Sequence, residues 1–265
     1  MDAFHQHTFV VLAYGESPFL EDCLKSLFNQ TVRSQILIST STPSVFLSQL
    51  ANRYNLDIRV NTASGIAADW NFAYALAQTP FVTLAHQDDL YEPTYTETFL
   101  KLSGLYPDLV IGFTDYYELQ EGKRADWSLL LLIKRLLLAP FWVHPVTSRF
   151  ALKWLILSTG NPICCPSVWY NKARIGTFQF SSAWRVNLDW EAWRRLARSS
   201  GRFAFVRSQL TCHRKHPDSE STVTITSQIR RQEDTKLLSQ VWGNRLGRLI
   251  SSVYALGYTS YRDLV

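Results

Sequence analysis

The chain has 265 residues, 46% of them apolar and 18% charged, and 27 Lys+Arg against 22 Asp+Glu give a formal charge of +5. That composition excludes a disordered, collagen-like or low-complexity protein, and the length suits one large α/β domain, or such a domain with a small helical extension, with room for a core and a cleft. Cys23, Cys164, Cys165 and Cys212 form no CxxC pair and no zinc-type His/Cys spacing, so buried thiols in a reducing compartment are expected. No basic stretch followed by a long apolar run opens the chain, which points away from a secretion signal and toward the cytosol.

The first 115 residues alternate short apolar runs with helical patterns. Strands are predicted at Thr8–Ala13, Gln35–Ser39, Leu56–Val60, Phe81–Ala85 and Leu109–Thr114. Between them the spacing predicts helices over Phe19–Asn29, Ser44–Tyr54 with Thr42 or Ser44 as N-cap, Ile66–Gln78 and Pro93–Leu105. This β-α-β order implies a mostly parallel sheet flanked by helices. Further on, helices are expected at Trp127–Leu138, Ser148–Leu157 and Asp189–Ser199, a strand at Ser167–Tyr170, and two short β runs at Phe203–Val206 and Leu210–His213. The tail from Ser227 to Ala255 reads as helix. No internal repeat and no flexible linker interrupts the chain. The strongest apolar stretch, Leu129–Val143, is broken by Lys134, Arg135 and Pro140 and is shorter than the roughly 20 residues of a membrane span.

In open α/β sheets ligands bind beyond the carboxyl ends of the strands, which singles out Tyr14-Gly15-Glu16, Ser39 to Thr42 and His86 to Asp89. Adjacent Asp88 and Asp89 at the end of an apolar strand repel each other and are costly to desolvate, a combination a divalent cation would relieve. A plain turn with a helix cap is the competing account of the pair. Asp69, Trp70 and Asn71 open a helix that can line the same pocket, although a tryptophan at this spacing also suits a core. Trp169, Tyr170 and Trp184 offer aromatic faces on which a ligand ring could stack. The run Arg194, Arg195, Arg198 fits the solvated outer side of an amphipathic helix.

Five segments in order, FVVLAYGESPFLEDCLKSLFNQT, SGIAADWNFAYALAQTPFVTLAHQDDLYEP, GNPICCPSVWYNK, NLDWEAWRRLAR and HRKHPDSES, resemble the inverting glycosyltransferases of family 2, which have the GT-A fold. The resemblance runs from about Thr8 to Ser221. It implies a GT-A type, Rossmann-like sheet over 1–225, with a nucleotide-sugar half (about 1–118) and an acceptor half (about 119–225), followed by a helical extension over 226–265. It places Tyr14 and Glu16 at the nucleotide, Asp88 with Asp89 beside it at Mg²⁺ or Mn²⁺, Asp189 as the general base with Glu191 as the reserve candidate, and His213, Arg214 and His216 in the loop that closes over the diphosphate. Taken alone, that cationic loop also fits a solvated surface, and Asp189 also fits an N-cap. His86 stands where the family usually has its first aspartate, Ser39 and Thr40 replace an acidic pair that usually reads the base, and Leu188 replaces a common glutamate.

The expected activity is metal-assisted transfer of one sugar, with inversion, from a nucleotide-diphosphate donor to a hydroxyl of a glycan or lipid-linked acceptor. The alternative is a catalytically silent protein that binds a sugar nucleotide or a membrane surface. A dinucleotide oxidoreductase and a P-loop NTPase are excluded by the lack of GxGxxG and GxxxxGK[ST]. A nucleotidyltransferase is disfavoured by the lack of a Gly-rich phosphate loop, and nucleic acid by the spread of the positive charge. A pI of about 9.0 is compatible with a cytoplasmic protein that rests on an anionic membrane face.

Overall fold

The computed structural model describes residues 3–264, so the outermost positions of the ranges 1–225 and 226–265 lie outside the described residues. After a 3-10 turn (Ala3–His5) the chain forms β1 (His7–Ala13), α1 (Leu20–Phe28), β2 (Gln35–Thr40), α2 (Val45–Tyr54), β3 (Ile58–Val60), α3 (Ile66–Leu76), β4 (Phe81–His86), the short β5 (Leu90–Tyr91) and α4 (Tyr95–Leu105). It continues through β6 (Leu109–Gln120), β7 (Lys123–Ala125), α5 (Leu129–Leu137), α6 (Ala139–Val143), β8 (Val146–Thr147), α7 (Phe150–Ser158), β9 (Trp169–Asn171) and α8 (Lys172–Ile175). Then come α9 (Leu188–Ala197), β10 (Arg202–Lys215), α10 (Glu220–Thr226), α11 (Ile229–Tyr254) and a terminal 3-10 segment (Ala255–Leu264).

One sheet runs in the order β3-β2-β1-β4-β9-β6-β10-β5, with β7 on β6 and β8 on β10. β3, β2, β1 and β4 are parallel, as are β6 and β10. The antiparallel β9 lies between β4 and β6. The two β runs expected near residues 203 and 210 are one continuous strand, with register shifts against β6 at Arg202/Phe203 and between Val206 and Thr211. Side chains of β1 alternate between the faces: Val10 packs with Ala73 of α3 and Trp190 of α9, and Phe9 and Val11 pack with Leu20 and Leu24 of α1. Ser44 caps α2, accepting a hydrogen bond from the Leu47 N–H at 3.1 Å.

Trp169 and Tyr170 are core rather than acceptor-facing, each 1% exposed. The Trp169 indole fits because position 112 is glycine: a Cβ there would lie 1.9 Å from the ring. Arg194, expected to be solvated, is buried, donates to the Leu237 carbonyl at 3.1 Å and lies over the Trp154 ring, whereas Arg195 and Arg198 are exposed. The four cysteines are free thiols.

His7 is fully buried between the Ser34 and Thr83 hydroxyls, at 2.8 and 3.0 Å, and burial lowers its pKa to about 3. The folded state therefore holds the neutral ring, while the unfolded chain takes up a proton below about pH 6.5. This contribution to stability is complete above that pH and is lost as pH falls toward 3, at about 1.4 kcal/mol per pH unit. Urea midpoints of His7→Asn should fall less steeply than those of the unsubstituted chain between pH 6 and 4; equal slopes would remove His7 from this role.

α11 is broken at Gly243, whose φ of 73° and ψ of 166° are not helical. The two parts fold back on each other. Gly247 meets Ser239 so closely that a Cβ would come within 2.6 Å of it, and the Thr235 and Ser251 hydroxyls are 2.8 Å apart. The second part and the terminal 3-10 segment pack on α5, where Leu130, Tyr254, Tyr258 and Tyr261 share a small core.

Candidate active site

The carboxyl ends of β1, β2 and β4 open onto a cavity of about 930 Å³ that reaches the N-terminus of α9 and is closed on its far side by α5, α11 and the terminal segment. Of the residues singled out from sequence, Tyr14, Ser39, Asp69, Trp70, His86, Gln87, Asp88, Trp184, Asp189, His213 and His216 line it, whereas Asp89 is fully buried and does not.

Gly15, in the left-handed region at φ +62°, turns the chain away from β1, and its N–H bonds the Thr42 hydroxyl at 2.7 Å. The Tyr14 backbone is tied to the Gln87 side chain in both directions, at 3.0 and 2.9 Å, leaving its ring exposed. Asp69 accepts from Ser41 at 3.0 Å and Asn61 at 2.8 Å, which fixes its carboxylate in the wall. Trp70 is half-buried, 5.4 Å from the His86 ring and edge-on to Phe180.

At the end of β4, His86, Asp88 and Asp89 each present a ligand-type atom within 4.8 Å of the others. Asp88 is half-buried and bonded to His216 Nε2 at 3.1 Å. Burial presses its carboxyl upward, but the His216 hydrogen bond and the charges of His86, His213 and His216 outweigh it and hold the pKa below the ordinary carboxylate range. Asp89 is fully buried. One oxygen takes His213 Nδ1 at 3.2 Å and the Arg214 N–H at 2.9 Å; the other has no hydrogen-bond partner and lies 3.8 Å from His86 Nδ1. For His213, burial opposes protonation, but Asp89 and Asp88 more than compensate and raise its pKa. The orphaned Asp89 oxygen and the unpartnered Nε2 of His86 are what a nitrogen-and-oxygen site for a divalent cation would leave in its absence.

Asp189 sits in the first turn of α9. Its Oδ1 accepts the Trp190 N–H at 2.6 Å and its Oδ2 accepts Asn161 Nδ2 at 3.3 Å. Asn187, not Asp189, occupies the N-cap position. The helix N-terminus by itself favours the ionised carboxylate, but burial dominates and raises the pKa. Arg230, the Trp190 N–H, Lys134 and Asn161 offset only part of the rise.

Several residues expected at the ligand lie outside the cavity lining. Asn71 is spent on the backbone of Phe180, accepting from its N–H at 2.7 Å and donating to its carbonyl at 2.9 Å. Thr40 is buried against Thr42, and Glu16 is exposed to solvent. Glu191, also in the first turn of α9, pairs with Arg195 at 2.7 Å. Arg214 acts on the site through its backbone: its guanidinium lies over Phe19 and its Nε donates to the Asp88 carbonyl at 2.9 Å.

Sequence reasoning missed Asn161, Lys134, Arg230, Tyr258 and Tyr261, all on the cavity wall. Asn161 lies inside the quoted segment GNPICC. Lys134 follows Leu130 by one helical turn, and Tyr254, Tyr258 and Tyr261 recur at helical spacing, so signals existed for both. Arg230 carried none.

A sheet with this order, whose strand ends open onto one cavity holding a metal-type acidic group and a second, separate carboxylate, has the GT-A glycosyltransferase fold. The chain belongs to glycosyl transferase family 2, whose model matches residues 8–169. It is 29% identical over 126 residues to EpsH of Bacillus subtilis (strain 168), assigned as a glycosyltransferase; the match covers 44% of this chain and 36% of that protein. Its fold is similar to S. aureus TarS 1-349 in complex with UDP-GlcNAc, with a TM-score of 0.58, 13% identity, and 96% of this chain and 73% of that one covered. Glucosyl-3-phosphoglycerate synthase from Mycobacterium tuberculosis, in complex with Mn2+ and UDP-Glc, gives a TM-score of 0.57 at 13% identity, covering 89% and 79%. The mannosyltransferase PcManGT from Pyrobaculum calidifontis, in complex with GDP-Man and Mn2+, gives 0.56 at 12% identity, covering 96% and 75%.

Proposed function

We propose that this protein transfers a single sugar, with inversion, from a nucleoside-diphosphate donor to a hydroxyl of a glycan or lipid-linked acceptor. The observation that carries this reading is that Asp88 and Asp189, on different elements, open onto one cavity. The donor is read at the ends of β1 and β2, where the Tyr14 ring and the fixed Asp69 carboxylate face the nucleoside. Asp88 and His86, with the free oxygen of Asp89, would hold a divalent cation, and that ion supplies neutralisation of the diphosphate charge. His213 and His216 add positive character beside the same phosphates.

Asp189 takes the proton from the acceptor hydroxyl as its oxygen bonds to the anomeric carbon. The bond from that carbon to the diphosphate oxygen breaks on the opposite face and the diphosphate leaves with the electron pair. The burial that raises the Asp189 pKa makes it a stronger base, and Asn161 and the Trp190 N–H fix the carboxylate. Trp184, buried in the cavity wall with Lys236 over its ring, offers the acceptor an apolar surface.

Melting curves with a panel of nucleotide sugars test the donor part. One nucleotide sugar with manganese should raise the melting temperature, and omitting manganese should remove most of the shift, because a ligand that binds only the folded state stabilises it. No shift with any nucleotide sugar would count against a donor site.

A further inference from the structure

We propose that the outer face of α5 and of the second part of α11 is a docking surface for an anionic bilayer, so that the acceptor enters the cavity from a membrane. The identification of the acceptor as lipid-borne rests on the glycosyl-transfer reading; the docking surface itself does not.

On α5, Leu129, Leu132 and Leu136 are exposed at i, i+3 and i+7, forming one stripe. After the break at Gly243, Leu246, Leu249, Val253 and Leu256 repeat that spacing and are also exposed. The inner sides of these helices bury against one shared cluster, with Leu130 and Ile133 of α5 meeting Tyr254 and the glycine at 257, so the two stripes flank a common core. Exposed apolar surface of this extent marks a contact face.

Charge selects the occupant. No acidic residue occurs between Asp126 and Asp189, or from Thr235 to Arg262, so neither stripe-bearing segment carries a carboxylate. Arg245 and Arg248 stand exposed between the leucines of the second stripe. A partner protein would tolerate mixed charge at the rim of its interface. An apolar stripe whose only charged neighbours on its own segment are arginines matches acyl chains beneath anionic headgroups. No helix among the described residues is long and apolar enough to cross a membrane, which fits a protein lying on the surface. The placement also connects to the cavity: α5 shows Leu132 and Leu136 to the outside while its Leu130 and Lys134 line the cavity wall, so a lipid-anchored acceptor would be delivered beside Asp189.

The test is flotation of the full chain with vesicles of phosphatidylcholine alone or with roughly one part in three phosphatidylglycerol. The protein should float with the anionic vesicles and far less with the neutral ones, and added salt should weaken the binding. Leu249→Glu with Val253→Glu should reduce the bound fraction by roughly tenfold or more. The milder pair Arg245→Gln with Arg248→Gln should reduce it about fivefold per arginine, without disturbing packing. None of these residues lines the cavity, so the manganese-dependent melting shift with a nucleotide sugar should persist in every variant. Failure of the unsubstituted chain to float, or flotation indifferent to both pairs of substitutions, would overturn the docking surface. A dimer in solution that the glutamate pair splits, with no vesicle binding, would overturn it too and make a second copy the occupant. Flotation without any nucleotide-sugar shift would leave the surface standing and remove the transferase reading instead.

Discussion

Asp189→Asn should lower kcat by about a thousandfold while leaving donor affinity within a factor of two or three, because a general base acts on the acceptor proton and not on donor binding. Asparagine keeps the shape and can still accept from the Trp190 N–H, so loss of turnover cannot be put down to a collapsed helix start. The fold should not suffer. A carboxyl whose pKa is raised on folding costs stability wherever it is ionised, so removing the charge should hold the melting temperature or raise it at neutral pH. The same shift fixes a pH profile. Turnover requires the ionised form, so log kcat/KM should climb with pH through the Asp189 titration and level off above it. The climb should lie above the usual aspartate range because burial raises the group, and the Asn variant should lose that limb. A variant with near-normal rate, or one keeping the acid limb unchanged, would refute the assignment.

The second large effect is expected at the other wall. Asp88→Ala removes the half-buried carboxylate bonded to His216 and should lower kcat/KM at saturating manganese by about a hundredfold. It should also abolish the manganese-dependent part of the melting shift. Asp89→Ala should behave differently. Its buried carboxylate ties His213 and the Arg214 N–H to the end of β4, so the loss should include stability, read as a lower urea midpoint. Unchanged manganese dependence in Asp88→Ala would move the cation elsewhere.

The strand ends were the legible part of this site. Apolar runs such as TFVVLA and FVTLA, short and rich in β-branched residues, read as buried strands, and topology then brings the polar residues behind them together: Tyr14, Ser39, His86 and Asp88 follow from local pattern plus one rule about open sheets. What local pattern hides is which side chain a distant backbone claims. Asn71 looked available but bonds Phe180, and Arg194 looked solvated but reaches Leu237, contacts across 109 and 43 positions. β9 gave a short β signal, yet nothing in its own residues revealed that it runs antiparallel between β4 and β6, or that Gly112 admits its tryptophan. The helical tail was legible as helix; the break at Gly243 and the return onto α5, which bring Tyr254, Tyr258 and Tyr261 over the cavity, are set by tertiary packing.

A crystal structure of the chain soaked with manganese and a nucleoside-diphosphate sugar, with data collected for the anomalous signal of the metal, tests the central claim most directly. The account places the manganese peak in contact with the Asp88 carboxylate and the diphosphate, and the anomeric carbon facing Asp189 across the same cavity. A diphosphate bound away from the end of β4, or a sugar whose anomeric carbon is shielded from Asp189, would contradict it.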